Sequence, residues 1–204
     1  GHDTLSWARL GAAVTGMDFS PEAIGIARQT AAELNLPARF ICCNLYDLPA
    51  NLEGQFDIVY TSYGVLCWLN DIPRWAKIAA SYVKPGGFFY IAEFHPFAMV
   101  FDDEADVLRY RYPYFLNAPL SFEVKGSYAD REAQLTPGKD FEWQHTLGDI
   151  VSALIEAGLR IEFLHEHPFT VYEQLPFLKP DGNGYWRFPE GEEPVPLMFS
   201  LRAS

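Results

Sequence analysis

Asp18 closes the short apolar run 13–17 and is followed at once by Phe19, Ser20 and Pro21, the chemistry of a helix start. A carboxylate at the C-terminal end of a strand in an open parallel sheet can accept hydrogen bonds from the ribose hydroxyls of a nucleotide-like cofactor. Ser20 supplies the oxygen that caps the next helix, which leaves Asp18 for that role. Ligands in such sheets lie beyond the strand C-termini, which selects Tyr63 after the run 56–62 and His95 after 88–94. His95 could act as a base near neutral pH or simply bond a nearby carbonyl. His145, beside Trp143, and Tyr128 are further candidates for the mouth of a cleft. His165 and His167 flank Glu166 with no obvious third ligand, so they read as surface residues and no metal is expected.

The elements that must position these residues alternate. Residues 3–10 suggest a helix capped by Asp3 or Thr4 and ended by Gly11. A strand over 13–18 leads into a helix from Ser20 to about Asn35, with Pro21 in its first turn and Glu22 near the positive end of its dipole. Strands are expected over 39–43, 56–62 and 88–94, a helix over 71–83, and a turn at Lys84, Pro85, Gly86 and Gly87. This rhythm predicts a doubly wound, mostly parallel α/β sheet with helices on both faces. It breaks over 96–145, a stretch rich in Tyr, Phe, Pro and acids that reads as an inserted substrate cap, extended over 120–128. Its aromatics Tyr110, Tyr112, Tyr114, Phe115 and Trp143, with Tyr185 and Trp186 further on, could wall a pocket for an apolar or cationic molecule or form cap core. A helix capped by Thr146 and stopped by Gly158 then precedes strands over 159–165 and 195–202, the last one antiparallel.

The 204 residues are 49% hydrophobic and 16% aromatic, without repeats or low complexity, which predicts one folded domain with a sizeable core. A formal charge of −12 argues against a nucleic-acid partner, whose phosphates require clustered Lys and Arg. A small-molecule substrate is expected instead. Three cysteines, with Cys42 and Cys43 adjacent, make neither a disulfide framework nor a spaced metal motif and suit a reducing, cytoplasmic setting. No apolar run approaches the ~20 residues that span a bilayer. Oligomeric state is silent in the sequence.

Asp18 lies 17 positions after Gly1, close to the ~20-residue offset between a glycine loop and its acid. Together with Asn44 after the third expected strand of such a fold, Phe56 and Asp57 opening the fourth, and Pro85, Gly86 and Gly87 before the fifth, the pattern resembles the class I S-adenosylmethionine-dependent methyltransferases. The resemblance runs over residues 1–95 and 146–202. It implies a Rossmann-like sheet, S-adenosylmethionine as cofactor, and methyl transfer to an oxygen, nitrogen or carbon of a small molecule. Carried over residue by residue, Gly1 matches the last glycine of the cofactor loop, whose strand and earlier glycines would lie ahead of it. Asp18 matches the ribose acid and Phe19 its neighbour against adenine. Asn44 stands where the family commonly has an Asp facing the adenine amino group, with the Leu45 backbone beside the ring. Thr61 and Ser62 match the strand end near the methionine moiety. Asn44 also suits a turn that binds its own backbone, and Phe19 suits a core. Two other classes share parts of the pattern: a nicotinamide-dependent oxidoreductase, which would need a second mononucleotide half, and a non-catalytic binding module on the same fold.

Overall fold

The computed structural model describes residues 1–116, 118–123 and 138–204. Two compact units divide the chain at residue 55. Tyr128 lies outside the described residues.

In the first unit, helix α1 (His2–Arg9) precedes strand β1 (Val14–Asp18), helix α2 (Pro21–Glu33) and strand β2 (Ala38–Cys42). β1 and β2 pair in parallel, with Asp18 opposite Cys42. Leu5, Ile24, Ala27, Ala31 and Phe40 form the core, with Leu36 and Ala38 packed against it. α2 starts as its residues dictate: Ser20 Oγ accepts from the Ala23 amide and Pro21 occupies the first turn. The cap of α1 departs from expectation, since Gly1 takes that position with no side-chain bond. Thr4 is turned instead toward β1, where a Cβ on Gly16 would lie 2.7 Å from its Oγ1. A Cβ on Gly1 would lie 2.6 Å from that of Ala27, so only glycine lets the start of α1 approach α2 this closely.

The second unit is built on a four-stranded sheet in the order β3–β4–β11–β7. β3 (Phe56–Thr61) and β4 (Val83–Phe94) are parallel. β11 (Met198–Ala203) lies antiparallel between β4 and β7 (Ile161–His167). The last two strands begin two or three residues later than their hydrophobic runs suggest, because β11 pairs with β7 from Ile161 opposite Ala203. Helices α3 (Ile72–Ser81) and α4 (Leu147–Glu156) pack on one another, and Trp75 meets Phe89 edge-on at 5.7 Å. α4 carries the full capping box: Thr146 Oγ1 accepts from the Asp149 amide, and Asp149 accepts from the Thr146 amide. A hairpin of β5 (Leu120–Glu123) and β6 (Lys139–Glu142) stands apart from the main sheet. A small sheet joins β8 (Phe169–Thr170), β9 (Lys179–Pro180) and β10 (Trp186–Arg187).

The expected turn at 84–87 is instead a bulge inside β4. Val83 already pairs with Phe56, and the next ladder partner of β3, Ile58, faces Phe88. Gly86 has φ of +82°, and a Cβ on Gly87 would sit 2.7 Å from the Asp57 carbonyl oxygen, so the two glycines let pairing begin before the bulge and resume after it.

Candidate functional site

β1 delivers Asp18 to the C-terminal end of the parallel pair in the first unit. Its Oδ1 accepts from the Ser20 amide at 2.8 Å, and its carbonyl accepts from the Cys43 amide at 3.1 Å. Oδ2 has no partner among the described residues. Next to it Phe19 is 73% exposed, which makes it an apolar ring with no protein over it. Asn44 Oδ1 accepts from the Tyr46 amide at 2.9 Å and caps the short 3-10 turn Leu45–Ala50. The self-bonding turn is therefore formed, and one lone pair of that oxygen is in use. An acceptor carboxylate beside an uncovered aromatic ring, at the end of a parallel strand pair, fits the ribose and base of a nucleoside cofactor.

In the second unit, Thr61 is buried at the end of β3, and Ser62 and Tyr63 follow it. Tyr63 is partly exposed and leans on Phe94 at 6.4 Å between ring centroids. The residue that shapes this loop is one that sequence reasoning missed. Glu93, buried near the end of β4, accepts from the amides of Gly64 (2.6 Å) and Phe94 (2.7 Å) through Oε1. Its Oε2 accepts from Val65 (2.9 Å) and Leu66 (3.1 Å). Burial pushes its carboxyl above the usual carboxylate range, and the four amides draw it back only in part. The available signal was one acid in the apolar run 88–94.

His95 is 4% exposed. Its Nδ1 accepts from the Phe97 amide at 3.1 Å, and Nε2 lies 2.9 Å from Glu166 Oε1, away from a straight hydrogen-bond line. Burial holds its pKa below the usual value, with Glu166 working against that shift. Both ring nitrogens thus face protein groups. His145 donates from Nε2 to the Leu69 carbonyl at 2.6 Å, and burial lowers its pKa as well. The Leu66 carbonyl also works against that lowering, and in the neutral ring the bond to Leu69 places the proton on Nε2. His165 stacks on Phe163 at 4.4 Å, while His167 contacts Ser200 Oγ at 2.9 Å. Among the described residues no group of three His, Cys, Asp or Glu is arranged to hold a metal ion. No described helix is long and apolar enough to cross a membrane.

A cavity of about 750 Å³ opens in this unit. The C-terminal end of β4, the turn after β3, the 96–104 segment, the β5–β6 hairpin and residues 172–176 line it, and His145 forms part of the wall. Of the aromatics expected around a pocket, Tyr112 and Trp143 are there. Tyr110 and Phe115 point to solvent, Tyr185 packs on Phe169, and Trp186 joins the core around Leu175 and Leu178. Phe94 and Tyr172, in edge contact at 5.1 Å, complete the apolar wall. Burial pushes the Tyr172 hydroxyl up to about 12 and raises the Cys67 thiol, so both keep their protons at neutral pH.

Residues 1–87 match the family model described as a methyltransferase domain. Over 87 residues the chain is 34% identical to a ubiquinone biosynthesis O-methyltransferase of Xanthomonas euvesicatoria pv. vesicatoria, across 43% of this chain and 36% of that protein. It is 37% identical over 87 residues to the like-named protein of Methylobacterium nodulans, across 42% and 33%. The chain thus spans about a third of the length of these curated relatives in the matched stretch. Its fold matches a putative S-adenosylmethionine-dependent methyltransferase of Listeria monocytogenes with TM-score 0.67 and 16% identity, over all of this chain and 85% of that one. It also matches a methyltransferase of the same cofactor class from Mesorhizobium loti with TM-score 0.63 and 21% identity, over 97% and 83%. The resemblance to class I S-adenosylmethionine-dependent methyltransferases therefore holds in sequence over residues 1–87 and in fold along the chain.

Proposed function

We propose that this chain is an S-adenosylmethionine-dependent methyltransferase acting on a small molecule. The observation that carries the reading is the placement of Asp18 at the C-terminal end of β1, beside the exposed ring of Phe19, in a stretch that matches a methyltransferase domain. In this reading Asp18 Oδ2 accepts from the ribose hydroxyls and Phe19 covers the base. Asn44, with its remaining lone pair, and the Leu45 backbone complete the base site. Gly1, by admitting the close approach of α1 to α2, sets the start of α1. Thr61 and Ser62 are assigned to the methionine moiety. When bound, the cofactor supplies an electrophilic methyl group, and in-line attack makes alignment the main demand on the protein.

Within the second unit, the Glu93 clamp fixes the backbone of 64–66 after Tyr63. His145, whose neutral ring carries its proton on Nε2, is the wall residue suited to hold or take a proton from an acceptor group. His95 acts as a strut, bracing the start of the 96–104 segment through Phe97. The described residues of the segment 96–145 supply much of the cavity wall, which supports a role in covering substrate. A thermal-shift titration tests the reading. S-adenosylmethionine and its demethylated product should raise the melting temperature, and nicotinamide dinucleotides should not; the reverse order would favour a dehydrogenase.

A further inference from the structure

The second unit treats its aromatic rings in two ways. Phe89 and Phe199, in the sheet core, have no exposed surface, and Trp75 has 2%. Phe94, Phe101, Tyr112, Phe122, Trp143 and Tyr172 instead line the cavity, and each keeps part of its surface accessible. They come from the end of β4, the 96–112 segment, the β5–β6 hairpin with the residue after it, and the residues following β8. Phe94 meets Tyr172 edge-on at 5.1 Å and Tyr112 meets Phe122 edge-on at 5.9 Å, so these rings are braced against one another while part of each stays open. Apolar surface held in contact with water favours any apolar body that displaces that water. A cavity of about 750 Å³ has room for a molecule of several rings.

Tyr172 adds a polar group that would orient such a molecule. The residue is 40% exposed, yet burial pushes its hydroxyl up to about 12. Surface that is accessible while protein crowds the hydroxyl faces an enclosed space, not bulk solvent. The other groups that add to the shift, Asp103, Cys67, Glu142 and Glu93, all line the cavity, which places Oη on the cavity side. Oη has no hydrogen-bond partner among the described residues. It keeps its proton at neutral pH and so offers a donor to whatever fills the space. The lining holds acids and, among the described residues, no Lys or Arg, so an anion would meet like charges and no counter-charge.

We propose that this cavity binds an uncharged aromatic molecule, its ring system against the accessible rings of the wall and its oxygen accepting from Tyr172 Oη. The proposal is one of binding, in which no bond is made or broken. Only the further step of naming this molecule as the methyl acceptor rests on the methyltransferase reading.

The test is equilibrium dialysis of the whole chain at pH 7 against 2-naphthol, the anion 2-naphthoate and the hydroxyl-free 2-methylnaphthalene, each followed by its own absorbance. The uncharged 2-naphthol should bind at least about tenfold more tightly than 2-naphthoate, which meets only acids. Tyr172→Phe keeps the ring and its edge contact with Phe94 and removes only the hydroxyl. It should weaken 2-naphthol by about fivefold, the worth of one neutral hydrogen bond, and leave 2-methylnaphthalene unchanged. Trp143→Leu, which removes ring surface from the wall, should weaken both. Equal affinity for 2-naphthol and 2-naphthoate, no binding of 2-naphthol, or unchanged affinity for 2-naphthol in a folded Tyr172→Phe would overturn the proposal. A parallel titration with S-adenosylmethionine separates the two claims. Naphthol binding that depends on Tyr172, without cofactor binding, upholds the cavity assignment and removes the acceptor role. Cofactor binding without naphthol binding upholds the methyltransferase reading and overturns the cavity assignment.

Discussion

Replacing Glu93 by glutamine changes one atom in a buried cluster and should unfold the loop it holds before anything else. Each carboxylate oxygen accepts two backbone amides, at 2.6 and 2.7 Å on Oε1 and at 2.9 and 3.1 Å on Oε2. Glutamine keeps one acceptor oxygen. Whichever way its amide turns, its NH2 faces two N–H groups in place of an acceptor. Two charge-assisted bonds at roughly 1.5–3 kcal/mol each are lost. The gain from no longer burying a charge returns part of this. The net expected cost is about 3 kcal/mol, or roughly 6–12 °C in melting temperature for a chain of this size. Urea unfolding followed by far-UV circular dichroism gives the free energy, and amide exchange at Gly64, Val65 and Leu66 gives the location. A variant as stable as the parent, with those three amides still protected, would refute the clamp. A stable variant with the amides exposed would mean that the carboxylate orders the loop at no net gain.

The remaining predictions concern backbone, pH and caps. Gly87→Ala places a Cβ 2.7 Å from one backbone oxygen and 2.9 Å from another, so it should cost about 1–3 kcal/mol in urea unfolding. Thr146→Ala removes half of the α4 capping box and should cost about 1 kcal/mol, read the same way. Burial lowers the pKa of His95, His145 and His167 in the folded state, so the unfolded chain binds more protons as acidity rises. Their contribution is complete above the unfolded value of 6.5 and is lost as pH falls from there toward the lowered folded values. Each can supply a slope of up to about 1.4 kcal/mol per pH unit. Glu93 and Glu142, raised by burial, act in the opposite sense in acid. The comparison that isolates one histidine is therefore His95→Asn, whose Oδ1 can replace Nδ1 as acceptor for the Phe97 amide. Melting temperatures between pH 7.5 and 5.5 should fall less steeply in that variant, and parallel profiles would count against the buried neutral histidine.

What could be read from the sequence was what local chemistry dictates. Ser20 with Pro21, and Thr146 with Asp149, announce helix starts because a side-chain oxygen three residues before an amide has one geometry. The run before Asp18 forms the strand that carries it, since such a run has few other uses in an alternating chain. Glycine and proline at 84–87 mark a turn and a bulge alike, and only the pairing of Val83 with Phe56 distinguishes them. The cavity was less legible still. Glu142, Gln174 and Tyr172 converge through contacts more than 75 residues from Glu93 or Leu66 in places, and nothing in their neighbourhoods marks them. Of the two histidines singled out, His95 was placed correctly at the end of β4, but its burial depends on Glu166 and Phe97, one of them 71 positions away.

Calorimetric titration of S-adenosylmethionine into the chain and into Asp18→Ala measures whether Asp18 holds a nucleoside cofactor. Loss of the hydrogen bonds from the ribose hydroxyls should cost about 3 kcal/mol, close to a hundredfold in Kd. Saturable one-to-one binding by the parent and weakening of that order in the variant is the predicted result. Equal affinity in the two, or no binding to a folded parent chain, would contradict it.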